Sequence, residues 1–179
     1  MIKFVIQSLA TLTLLGQILL VGLIIVAILT FIFKKKVSFT KFVSENGYFG
    51  VFVITLIATL GSLFFSEVAK FTPCVLCWYQ RILMYPQPLL LYVGILRKEF
   101  VLKYYLLVLN ALGLGIAIYH YILQIEPKLL ISPCVAGDVS CVKGYTFYFG
   151  YISIPLMSAT AFALNLLLLS LTKSKKRYA

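Results

Sequence analysis

The chain reads as an all-α membrane protein: a four-helix transmembrane bundle plus one extra N-terminal transmembrane helix. Three observations predict this. Of its 179 residues, 62% are hydrophobic and 12% charged, with a mean hydropathy of +1.03, against about 45–50% apolar and about 25% charged in soluble domains. Apolar runs of roughly 20 residues, enough to cross a hydrocarbon core of about 30 Å, recur along the sequence. The net charge of +11 is gathered in short Lys/Arg clusters between those runs. That placement is the habit of cytoplasmic loops and argues against nucleic acid as the partner.

The first run, Phe4 to Phe33, is longer than the apolar core of a secretory signal (about 7–15 residues). It shows no Ala-x-Ala site and reads as a retained, tilted span. Lys34-Lys35-Lys36 and Lys41 follow. The second span runs from Tyr48 to Phe65 and ends at Ser66-Glu67. The third runs from Cys77 or Trp78 to Leu96, and its Pro86 and Pro88 predict a kink or a locally opened backbone. Beyond Arg97, Lys98 and Lys103, the fourth extends from Tyr104 to about Gln124. Glu126 to Tyr151 is the longest connection, and its Tyr145, Phe147, Tyr148, Phe149 and Tyr151 suit an interfacial belt. The fifth span, Ile152 to Leu171, leads to Lys173, Lys175, Lys176 and Arg177.

Five spans place alternate connections on opposite sides. One side then carries eleven basic residues and the other only Lys3, Lys70, Lys128 and Lys143. This asymmetry puts the C-terminus in the cytoplasm, and the N-terminus and all four cysteines outside.

The cysteines form two close pairs, Cys74/Cys77 and Cys134/Cys141, and four cysteines allow three full pairings. Outside the cytoplasm they read first as disulfides. If these only brace loops, closing such short rings gains little. Cys74-Val75-Leu76-Cys77 stands at the mouth of an apolar segment with Arg81 close behind. With a helix starting near Cys77, Cys77 and Arg81 share a face at i and i+4, and the positive charge favours a reactive thiolate. A four-cysteine zinc site is the competing chemistry, although such sites suit a reducing compartment.

Arg81 either snorkels to the surface or polarises an acceptor near Cys77. His120, the only histidine, has Gln124 at i+4. It either links helices or donates to a bound acceptor at the depth of Arg81. No glycine motif for a flavin or nucleotide and no Cys-x-x-Cys-His for haem is present. A dithiol oxidised repeatedly at the lipid boundary needs an electron acceptor, and a membrane quinone fits.

Pro73-Cys74-Val75-Leu76-Cys77-Trp78-Tyr79-Gln80-Arg81 with Leu83-Met84-Tyr85-Pro86 resembles the signature of the DsbB/BdbC disulfide-bond-formation family. So do Tyr119-His120-Tyr121 with Gln124, the Pro133-Cys134 and Cys141 pair, and Phe149-Gly150-Tyr151-Ile152-Ser153-Ile154-Pro155, in the same order. The resemblance implies a thiol oxidase of the bacterial cytoplasmic (inner) membrane that reoxidises a DsbA-like thioredoxin-fold partner. Electrons would pass to ubiquinone or menaquinone, supporting disulfide formation in exported proteins. Cys134 would form the mixed disulfide with the partner, with Cys141 as its loop mate. Cys74 and Cys77 would be the quinone-proximal pair, with Cys77 as the thiolate facing the ring, and Arg81 and His120 would contact the quinone. Residues 48–172 would form the family's four-helix domain, 1–36 an extra helix, and 173–179 a basic cytoplasmic tail. The short Cys134–Cys141 spacing is closer to the BdbC branch.

Overall fold

The computed structural model describes residues 2–33, 38–97, 102–128, 140–142 and 147–172. Cys134, Tyr145, the Lys34–Lys36 run and the 173–179 tail lie outside the described residues. Among the described residues six α-helices run in chain order: α1 Ile2–Phe33, α2 Ser38–Leu63, α3 Val75–Met84, α4 Pro86–Arg97, α5 Leu102–Ile125 and α6 Ile154–Leu171. Among the described residues the single β feature is an isolated bridge between Tyr148 and Ile152. The protein is an all-α membrane bundle. Among the described residues four helical stretches are long and apolar enough to span a bilayer: Ile2–Leu29, Asn46–Val68, Leu102–Ile125 and Ile154–Leu171.

The remaining span is built differently. It divides at Tyr85 into α3 and α4, of 10 and 12 residues. Pro86 and Pro88 lack the N–H groups that would bond to the carbonyls one turn back. Tyr85 keeps a right-handed helical backbone and donates its own N–H to the Arg81 carbonyl at 2.9 Å, so the chain continues onward. The Gln87 side-chain amide donates to the Leu83 carbonyl at 2.8 Å. In lipid this internal satisfaction is obligatory, since no water can replace it.

The end of α2 widens into one π-helical turn, Phe64–Val68, and Lys70 follows in the left-handed region at φ 57. Together they swing the chain back so that Phe71 stacks on buried Phe65, centroids 6.1 Å apart. Cys74 then caps the N-terminus of α3 with an extended backbone. At the start of α6, Phe149 (φ 52) and Gly150 (φ 80) make the tight turn closed by the Tyr148–Ile152 bridge.

The core is layered along the bundle. Leu23, Val51, Leu91, Leu106 and Leu164 pack toward one end, Met84, Ala117, Ala159 and Phe162 in the middle, and Cys74, Leu76, Leu123 and Cys141 at the other. Both described cysteine-bearing connections therefore meet at a single end. Gly113 lets α5 approach α6 closely, because a Cβ there would stand inside the Phe162 ring's contact distance. At the opposite end the Lys103 ammonium donates to the Thr172 carbonyl at 2.6 Å, serving an oxygen near the end of α6.

Buried amides tie α4, α5 and α6 together. Asn110 Nδ2 donates to Gln87 Oε1 at 2.8 Å, and Asn165 Nδ2 donates to Asn110 Oδ1 at 3.1 Å. Asn110→Ala removes the partner of Gln87 Oε1 and of Asn165 Nδ2 in a buried interior. It is expected to lower stability by about 1–2 kcal/mol, measured as an earlier unfolding midpoint in mixed micelles.

Candidate functional site

Three helices converge on the inner cysteine pair. Cys74 sits at the N-cap of α3 and Cys77 nearly one turn further in, which brings their Sγ atoms to 3.4 Å as free thiols. From α5, His120 Nε2 stands 3.6 Å from Cys74 Sγ, and the ring is 1% exposed. Gln80, on α3, reaches His120 Nδ1 through Nε2 at 3.1 Å. From α6, Ser158 Oγ donates to Gln80 Oε1 at 2.5 Å. Because Ser158 occupies the amide oxygen, the amide N–H faces Nδ1. The proton of a neutral ring then sits on Nε2, facing Cys74.

The thiolate-favouring contacts converge on Cys74. Its thiol is held below the ordinary 9.0, at about 4, first by the Cys77 hydrogen bond and then by His120, while burial opposes them. Arg81 is engaged elsewhere. Its guanidinium donates to the Ser62 carbonyl of α2 at 3.1 Å and lies over the Trp78 ring, 5.3 Å from the centroid. Tyr85 donates to Ser62 Oγ at 3.1 Å and secures the same point on α2. Arg81 is half-buried and clasped within the bundle.

Cys77, Gln80, Arg81 and Ser158 line one side of a cavity of about 350 Å³ whose other walls are largely apolar. On the opposite side of the pair, Cys74, Cys77, His120 and Gln124 border a small space of about 20 Å³. Among the described residues, Gln124 Oε1 and Ser153 Oγ are buried there without a hydrogen-bond partner.

Cys141 is 1% exposed, belongs to the same buried cluster as Cys74, and is disulfide-bonded. A sulfur held in a disulfide is not a thiolate ligand for zinc. Cys74, Cys77 and His120 do present three ligand atoms within 4.8 Å of one another. Gln80 and Ser158 carried no role in the sequence reading. Gln80 stands inside the Cys-x-x-Cys signature, whereas Ser158 is visible only once α6 is packed against α3.

The family model described as disulfide bond formation protein DsbB matches residues 44–172. The chain belongs to that family. Disulfide bond formation protein C of Bacillus subtilis (strain 168) is 46% identical over 125 residues, 69% of this chain and 90% of that protein. The SPbeta prophage-derived disulfide bond formation protein B of the same strain is 44% identical over 128 residues, covering 70% and 86%. A probable disulfide formation protein C of Halalkalibacterium halodurans is 40% identical over 120 residues, covering 67% and 88%. No solved structure matches. As a DsbB-family member this is a multi-pass membrane protein with thiol-oxidase chemistry, and α1 lies outside the family match.

The Cys74 thiolate should persist across the neutral range and be lost only as pH falls toward about 4. Its folded value lies below the unfolded one. The stabilisation it brings is thus complete above about pH 9 and fades as pH falls through the folded value. The ultraviolet thiolate absorbance of the reduced protein, minus that of Cys74→Ser, should stay flat from pH 6 to pH 9. His120→Ala should move the titration upward.

Proposed function

We propose that the protein oxidises an extracytoplasmic, DsbA-like thioredoxin-fold dithiol and delivers the electrons to a membrane quinone. One observation carries this reading: the Cys74–Cys77 pair lies between buried Cys141 on one side and the Arg81-lined cavity on the other. A thiol pair held between Cys141 and a largely apolar cavity suits the passage of electrons from one to the other.

The exchange chemistry balances in two steps. A partner thiolate attacks the Cys134–Cys141 disulfide at Cys134, and the partner's second thiolate displaces Cys134, which leaves the partner oxidised and the loop pair as two thiols. The loop pair then exchanges with a Cys74–Cys77 disulfide, restoring its own bond and leaving Cys74 and Cys77 as thiols. His120 and Cys77 stabilise the Cys74 anion, so the inner pair is a good leaving group in the forward exchange.

The cavity's size and apolar lining, with polar groups gathered beside Cys77, fit a quinone head group. Cys77, Arg81, Gln80 and Ser158 would hold it. When bound, the quinone supplies an acceptor for two electrons and two protons. Arg81, already fixed by Ser62 and Trp78, presents its remaining N–H groups to an oxygen without reorganising.

The basic clusters support a C-terminus in the cytoplasm and both cysteine pairs outside the inner membrane. The reading is tested with purified protein, a reduced thioredoxin-fold partner and a short-chain quinone. Cys77→Ser is expected to abolish quinone reduction, and retained turnover would remove the proposal. A membrane-impermeant thiol reagent should modify the reduced cysteines in intact cells. Stoichiometric metal bound to the free inner pair would instead favour a three-ligand metal site on Cys74, Cys77 and His120.

A further inference from the structure

Helix α1 precedes the residues matched by the family, yet it helps to line the cavity. It packs against α6 and, more lightly, α2. Leu9, Leu12, Thr13 and Gly16 line the same cavity as Cys77 and Arg81. Leu9, Thr13 and Gly16 fall at i, i+4 and i+7, a single stripe of the helix. Away from that stripe α1 faces outward, with Ile18 63% and Val21 55% exposed.

Two features hold the stripe in this orientation. Gly16 permits close approach to α6, since a Cβ there would stand 3.3 Å from Leu164 Cδ1 and 3.4 Å from Thr160 Cγ2. Gln17, next to it, binds at both ends of its amide. Its Oε1 accepts from the Tyr151 hydroxyl at 2.8 Å, and its Nε2 donates to Thr160 Oγ1 at 3.4 Å. An amide turned into lipid would lose both bonds, so rotation of α1 about its axis is opposed. Thr13 adds to the wall, its hydroxyl turned back onto the Leu9 carbonyl at 2.8 Å.

We propose that α1 is part of the acceptor site: its Leu9–Gly16 face walls the quinone cavity and limits, by bulk, which lipid-soluble acceptor reaches Cys77. This rests on the quinone reading above. Thr13 is the position where size matters most, because it is 8% exposed and lines the cavity. Its role is selection, and it touches no sulfur chemistry.

Trp78, the only tryptophan in the chain, lies beneath Arg81 and reports quinone binding through fluorescence quenching. Short-chain ubiquinone and menaquinone analogues are titrated into the full-length protein in detergent. Thr13→Phe is expected to raise the dissociation constant about tenfold or more, most for the larger naphthoquinone ring, whereas Thr13→Ser binds like wild type. Because a bulky variant can misfold, an azidoquinone is also photolysed on the wild-type protein, and label is expected in the α1 peptide as well as the α3 peptide. Label in α3 but never in α1, or unchanged affinities in a folded Thr13→Phe protein, would overturn the role of α1 and leave the quinone reading standing. Absence of quenching and of any label in wild type would remove both.

Discussion

The hydrogen-bonded line from Cys74 through His120 and Gln80 to Ser158 joins α5 and α6 to the start of α3. A bilayer offers no water to a stray imidazole or amide, so each of these groups must find its partner inside the bundle. That requirement fixes the rotation of three helices at once. It also leaves the sulfur beside the imidazole as the place where negative charge is most readily held.

The bundle carries a second polar line, Gln87–Asn110–Asn165, deeper along the helices. The two lines are similar in composition and differ in what they border. The deeper one is enclosed by leucines and serves as a fastening between α4, α5 and α6. The upper one has a small space on one side and the larger cavity on the other. Access to a cavity, more than the residue types, separates a structural network from a chemical one.

Backbone irregularities gather at the cysteine end as well. The π turn after α2, the left-handed Lys70 and the turn at Phe149–Gly150 each re-aim a connection so that it closes over the bundle. The proline break after Tyr85 leaves α3 only 10 residues long, a short platform bearing Cys77, Gln80 and Arg81. Irregular backbone is tolerated at such depth where side chains such as Gln87 return the lost hydrogen bonds.

Hydropathy, basic clusters and cysteine spacing were enough to read the membrane class, the spans, the discontinuity at Pro86 and the cysteine motif, because each depends on residues close in sequence. The pairing of His120 with Cys74, the engagement of Arg81 by Ser62 and Trp78, and the entry of Gln80 and Ser158 into the site depend on which helix faces lie together. Helical periodicity gives each face but not its neighbour. The extra first helix shows the division most clearly. Its apolar length marked it as a span, while only packing through Gly16 and Gln17 turned one stripe of it toward the cavity, since helix rotation is set by contacts between segments far apart in the chain.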